Sequence, residues 1–186
     1  FNLIKYKQSE EIILDIKNYI ENIIHQFTFH QGIVESHIFS YTKEELFQLF
    51  KRYERFPLVE RINQMAIKLS ETNYNGTRKK VSTYRKLIME SCNFSKDYKQ
   101  IYVDFYKSHF SKMSLPMVEE KNLLKSRTVF YEDALLMVYM KGLLEGFPYE
   151  NQIKEVVVDE AQDYNKLQYI ILKEIFKRAN FTILGD

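Results

Sequence analysis

Glu155-Val156-Val157-Val158-Asp159-Glu160-Ala161-Gln162-Asp163 is the stretch whose reading decides the fold. A β-branched run that stops on two carboxylates suits a buried parallel strand. Such a strand delivers acids to the carboxyl edge of a sheet, where open α/β folds do their chemistry. Downstream, Thr182-Ile183-Leu184-Gly185-Asp186 is a second short apolar run that also ends on an acid. Between them Tyr164 to Arg178 has helical spacing, with Leu167, Ile170 or Ile171, Ile175 and neighbouring Phe176 on one side. Strand, helix and strand, with an acid at each strand end, predict one right-handed βαβ unit holding the chemistry.

Upstream, Tyr131 to Leu144 reads as a helix that is apolar almost all round, through Ala134, Leu135, Leu136, Met137, Val138, Tyr139 and Met140. A helix of that kind belongs in the interior of a larger body. Gly146, Phe147 and Pro148 end it. Ser114-Leu115-Pro116 marks the expected boundary, followed by a polar stretch from Glu119 to Arg127. Residues 1–116 are therefore expected to form a mostly helical part, and residues 117–186 an α/β part.

Within the helical part, Phe1 to Tyr6 alternates loosely and Ile33 to Ser40 weakly, so the two are expected to be short strands that could pair. Ser9 precedes a helical pattern of Ile13, Ile16, Ile20, Ile23 and Phe27, which Gly32 breaks. Thr42-Lys43-Glu44-Glu45 is a capping box, opening a helix with Leu46, Leu49, Phe50 and Tyr53 inward. Pro57 starts the next helix, where its missing N–H costs nothing, and Leu58, Ile62, Met65 and Leu69 make the stripe. Asn73 to Gly76 is a turn, and two further helices are expected around Val81 to Ser91 and Lys96 to Phe110.

The 186 residues can bury a real core, and 45% hydrophobic with 28% charged residues argues against disorder. The sequence begins at Phe1 without Met and stops at Asp186 straight after an apparent strand, so an excised fragment is expected. A single cysteine, Cys92, rules out an internal disulfide framework and fits a reducing cytoplasm. The longest apolar run, Ala134 to Met140, is far short of a membrane span, and no signal-peptide pattern opens the chain. A cytoplasmic protein without membrane contact is the expectation.

The net charge of +2 is unevenly spread: Tyr74 to Lys112 holds nine Lys or Arg against Glu90, Asp97 and Asp104. That surplus suits either a polyanion-facing surface or the solvated face of helices, and the second is the commoner case. Tyr74, Tyr84, Tyr98, Tyr102 and Tyr106 are interleaved with these cations, as in surfaces that stack single-stranded bases. Tyr98, Ile101, Tyr102 and Phe105 nevertheless lie at helical spacing, which more often means core.

Asp159 and Glu160 suit phosphoryl transfer, where one carboxylate holds Mg²⁺ and another group orients or deprotonates the attacking water. An isolated Asp-Glu pair would more simply favour the N-terminus of the next helix. The apolar run before it, Gln162-Asp163 after it and Gly185-Asp186 at the second strand end shift the reading to function. His25, His30, His37 and His109 show no ligand spacing with Cys92 or a carboxylate pair, which argues against a zinc-type site. Cys92 reads as a buried small hydrophobe.

Asp159-Glu160-Ala161-Gln162-Asp163 resembles motif II, the Walker B box, of superfamily I helicases of the UvrD/Rep type, and Ile183-Leu184-Gly185-Asp186 resembles the opening of their motif III. The stretch from Tyr131 onward is most similar to the branch that associates with RNA polymerase, the HelD-type proteins. The specific match covers about the last third of the chain. The resemblance implies part of a RecA-like P-loop NTPase domain that uses ATP and Mg²⁺ and moves on DNA. It implies that Asp159 helps hold Mg²⁺, that Glu160 is the general base, and that Gln162 and Asp163 link nucleotide state to neighbouring motifs. Asp186 would begin motif III. The helical part would be the insertion between P-loop and motif II, which in HelD-type relatives is an arm reaching into RNA polymerase. The alternative is a helical interaction module docking onto RNA polymerase, with the ATPase remnant as scaffold.

One departure from the pattern bears on activity. A P-loop needs two glycines five residues apart followed by Lys and Ser or Thr, and the glycines at 32, 76, 142, 146 and 185 include no such pair.

Overall fold

The computed structural model describes residues 3–36, 39–72, 80–110 and 128–186. The expected turn at 73–76, the boundary at 114–116 and the polar stretch 119–127 lie outside the described residues. In chain order the elements are α1 (Leu3–Lys7), α2 (Glu10–His25), the hairpin β1 (Ile33–Ser36) and β2 (Phe39–Tyr41), α3 (Lys43–Arg52) and α4 (Leu58–Thr72). They continue with α5 (Val81–Ser91), α6 (Tyr98–Phe110), α7 (Tyr131–Glu145), β3 (Glu155–Val158), a single 3₁₀ turn at Ala161–Asp163, α8 (Lys166–Ile175) and β4 (Asn180–Ile183). No helix among the described residues is long and apolar enough to cross a membrane.

Contacts divide the chain into two compact units: Phe1–Ile20 with Asp97–Leu143 and Phe147–Asp186, and Glu21–Lys96 with Leu144–Gly146. The second unit is built by local signals. The Glu45 N–H donates to the Thr42 hydroxyl (3.2 Å) and the Thr42 N–H to the Glu45 carboxylate (2.9 Å), so the capping box starts α3 as its sequence requires. Leu58, Ile62, Met65 and Leu69 are fully buried on α4, which packs against α5. Phe27 stacks on Phe50 at 4.2 Å between ring centroids, and Phe29 closes on both edge-on. Arg61 ties the turn before α4, donating to the Phe56 and Glu54 carbonyls at 2.7 and 2.6 Å while lying over the Phe50 ring.

The first unit carries α1, the start of α2, α6, α7 and the β3–α8–β4 segment. Its apolar core draws on Ile12, Ile13 and Ile16 of α2, Ile101, Val103 and Phe105 of α6, and Leu136, Tyr139 and Met140 of α7. Two polar clusters are set into it. Lys7 reaches Asp133 at 2.7 Å, with side chains 8% and 1% exposed, and the Tyr102 hydroxyl donates to the same carboxylate oxygen. Tyr6 donates to Asp15 and lies 2.7 Å from His109, which is itself 3.0 Å from Asp15.

Several expectations are corrected. Residues 3–7 are helical, not a strand, because Tyr6 and Lys7 are drawn into those buried polar clusters. The stretch expected as one strand over Ile33–Ser40 holds two, residues 33–36 pairing antiparallel with 39–41 instead of with the start of the chain, a partner that costs little loop closure. Helix α2 ends at His25, well before Gly32, and Phe27 is buried beyond it. Helix α7 is interior on one side only, since Val138 is 52% exposed and no described element covers it. Gly146 at φ 92° ends it in the left-handed region that suits glycine.

The βαβ expectation holds in connectivity. Strands β3 and β4 pair in parallel, with Val156 opposite Phe181 and Val158 opposite Ile183, and α8 lies between them in sequence. The expectation of a buried strand does not hold: Val158 is buried, but Val157 is 59% and Ile183 54% exposed. The cause is the width of the sheet, which among the described residues has these two strands alone. Burial on both faces requires flanking strands and covering helices.

Candidate functional site

Strands β3 and β4 end side by side, and the chain beyond them is stitched into one edge. The Leu184 N–H donates to the Val158 carbonyl and the Ala161 N–H to the Leu184 carbonyl, both at 2.8 Å. The second of these bonds brings the stretch after β4 against the stretch after β3. Asp159 directly follows β3, and Asp186 ends the stretch that follows β4.

Asp159 Oδ1 accepts the Glu160 N–H at 2.9 Å, a local bond that turns the chain sharply. Glu160 has φ 50° and ψ 47°, the one non-glycine with positive φ among the described residues. A left-handed residue with a Cβ costs about 1–2 kcal/mol, and such outliers gather at functional sites. Ala161 to Asp163 then make the 3₁₀ turn, closed by the Asp163 N–H to the Glu160 carbonyl at 2.9 Å. The Tyr169 hydroxyl donates to the Ala161 carbonyl at 3.2 Å and braces the turn from α8. Helix α8 opens on a second capping box: Gln168 N–H to the Asn165 side chain at 3.0 Å, and Asn165 N–H to the Gln168 side chain at 2.7 Å. The Gln168 amide also donates to the Tyr131 hydroxyl of α7 at 2.9 Å.

Gln162 donates through Nε2 to Glu160 Oε2 at 2.6 Å. Asp159, Glu160, Gln162, Asp163 and Asp186 are all exposed. Among the described residues none of the four acids is ion-paired.

No group of three His, Cys, Asp or Glu among the described residues forms a complete metal cage. Mg²⁺ does not require one: it is usually held by one or two carboxylates and takes its other ligands from water and phosphate. Asp159, an exposed carboxylate at the strand edge, fits that donor set. The phosphate cradle is not supplied, since no glycine pair has P-loop spacing.

The other candidates resolve into packing. Tyr84, Tyr102 and Tyr106 are buried, so their rings are core and not a platform for bases. Tyr98 is half-buried, with the Lys141 ammonium 5.8 Å from its ring, and Tyr74 lies outside the described residues. Cys92 is buried against Phe29 in an isolated antiparallel bridge, and burial pushes its thiol pKa up. His109 is brought to a carboxylate, Asp15, by the fold alone, as one of a half-buried hydrogen-bonded group with Tyr6.

Four contributors escaped the sequence. The left-handed turn at Glu160, the brace from Tyr169 and the closeness of Gly185 to the motif carry no local signal. The Asn165/Gln168 capping box does carry one, an Asn followed three residues later by Gln.

A family model, that of the UvrD/REP helicase N-terminal domain, matches residues 4–186. No curated protein matches the chain.

Proposed function

From the premise that this chain belongs to the UvrD/REP helicase N-terminal domain family, we propose that it supplies the Walker B half of an ATP-hydrolysing site. The family is one of ATP-dependent helicases, which use Mg²⁺ and act on DNA. The observation that carries the proposal is the stitched edge, with Asp159 and Glu160 lying between Val158 and Ala161, both of which are hydrogen-bonded through the main chain to Leu184 in the stretch that ends in Asp186.

In this reading Asp159 would hold Mg²⁺, directly or through water. The bound cation, with ATP, supplies neutralisation of charge developing on the phosphates. Glu160 accepts the proton of the attacking water as the water oxygen bonds to the γ-phosphorus and the bond to the ADP oxygen breaks. Its Oε2 already accepts from Gln162, which leaves Oε1 for that water. Gln162 and Asp163 link the state of the nucleotide to the neighbouring motifs, and Asp186 begins motif III.

Residues 1–116 serve as a helical insertion, and residues 117–186 as part of a RecA-like domain. For the insertion, contact with RNA polymerase of the HelD type is favoured over stacking on single-stranded DNA, because Tyr84, Tyr102 and Tyr106 are committed to the core. The same burial favours the second reading, a polymerase-docking module with the ATPase part as scaffold. Cytoplasmic location follows from such a partner.

The 186-residue chain, without a phosphate cradle, neither binds ATP tightly nor turns it over. In a protein that joins this chain to a P-loop, Glu160→Gln lowers kcat by about 10²–10⁴-fold with little change in KM, the loss of a general base. Mg²⁺-dependent turnover by the isolated chain, abolished by the same substitution, would overturn the half-site reading. Full turnover by Glu160→Gln in the joined protein would leave the docking module as the function.

A further inference from the structure

Gln162 makes its bond to Glu160 while its amide oxygen lies against Gly185. A Cβ built on Gly185 would lie 2.6 Å from Gln162 Oε1, 3.1 Å from the Ala161 nitrogen and 3.2 Å from the Ala161 Cβ. Carbon atoms do not approach oxygen that closely, so any side chain at 185 moves its neighbours. The Ala161 backbone has little freedom to move, because its N–H is fixed to the Leu184 carbonyl one residue away from Gly185. Gln162 does have that freedom: it is exposed, and Oε1 is the far end of a rotatable side chain. The same amide group carries Nε2, which donates to Glu160 Oε2 at 2.6 Å. Oε1 and Nε2 share one rigid plane, so displacing the oxygen swings the nitrogen off the carboxylate.

We propose that Gly185 is a positioning residue of this site: its bare Cα makes the space in which the Gln162 amide lies, and from that space Gln162 aims the Glu160 carboxylate. A contact between the stretches after β4 and β3 thereby sets the direction of an acid carried on a strained, left-handed backbone. Loss of the Gln162 contact lets the Glu160 side chain take other rotamers without disturbing the strands. The proposal rests on the reading of Glu160 as the base only for its consequence in catalysis; the positioning itself is a property of this chain.

The test uses the intact 186-residue chain and four forms of it: wild type, Gly185→Ala, Gln162→Ala and the double variant. Two NMR signals report the contact: the Gln162 side-chain amide, and the carboxyl carbon of Glu160. Gly185→Ala is expected to move the Gln162 amide to the position of a freely rotating glutamine and to carry the Glu160 carboxyl signal to where Gln162→Ala puts it. Thermal unfolding supplies the second arm. The fall in Tm that Gly185→Ala causes should roughly halve, or better, in the Gln162→Ala background, the coupling expected of groups in contact. Both signals staying at their wild-type positions in Gly185→Ala would overturn the proposal. So would equal falls in Tm in both backgrounds, which would place the conflict at the Ala161 backbone. If Gly185→Ala alone does not fold, a folded double variant supports the proposal and an unfolded one overturns it. Full turnover by Glu160→Gln in a P-loop-bearing protein would remove the base reading alone, and the NMR signals would still decide whether Gly185 positions the pair.

Discussion

Asp133→Ala is the most informative single perturbation of the scaffold. The Asp133 side chain is 1% exposed at the first turn of α7, where it receives Lys7 at 2.7 Å and the Tyr102 hydroxyl on one oxygen. Lys7 is also buried, with its ammonium 5.7 Å from the centre of the Tyr106 ring. Truncation strands the buried Lys7 cation without its carboxylate. Removing one partner of a buried pair costs about 3–5 kcal/mol, a large part of the roughly 5–15 kcal/mol that holds a folded domain. With a urea slope of about 3 kcal/mol per molar, the midpoint falls by about 1–2 M. Equilibrium urea unfolding followed by far-UV circular dichroism and tyrosine fluorescence measures it. Lys7→Met combined with Asp133→Leu removes both charges and fills the volume, so it should recover most of the loss. A fall of less than about 1 kcal/mol for Asp133→Ala, or a double variant as weak as the single, would refute the reasoning.

Two further outcomes follow from the same packing. Burial holds the Cys92 thiol and the Tyr6, Tyr19 and Tyr139 hydroxyls above their ordinary pKa values, Tyr139 up to about 12. The folded chain therefore keeps protons that the unfolded chain releases above about pH 9–10, so the contribution of these groups to stability is level below that range and declines as pH rises through it. Urea midpoints from pH 7 to 11 check this, and a midpoint that rises with alkali would contradict it. Thr42→Ala removes a hydroxyl that caps α3 and should cost about 1 kcal/mol in the same assay, with Glu45→Ala adding little on top because the two bonds form one box.

Much of the local structure was legible because its causes lie within a few residues. Thr42 and Glu45 cap α3 as their spacing demands, the stripe Leu58, Ile62, Met65 and Leu69 is wholly buried, and α5 runs over Val81–Ser91 as expected. Four residues of Phe1–Tyr6 misled, since a loose alternation carries no information about the carboxylates that claim Tyr6, from Asp15 beyond the next turn, and Lys7, from Asp133 far along the chain. The tyrosines of α5 and α6 were ambiguous between surface and core for the same reason: spacing gives a face, and only packing says what that face meets.

At the site the sequence alone determined that Asp159 follows directly on β3, that the strands are parallel across a helix, and that no glycine pair has P-loop spacing, whereas β4 ends at Ile183 and Asp186 lies beyond it. Those are consequences of residue type and order. The tertiary structure decided the rest. The left-handed turn at Glu160, the Tyr169 brace and the gap at Gly185 that admits Gln162 arise where separate stretches approach within hydrogen-bond distance. It also decided that Val157 and Ile183 stay exposed, because burial depends on what covers a sheet, and a strand's own residues do not encode its neighbours.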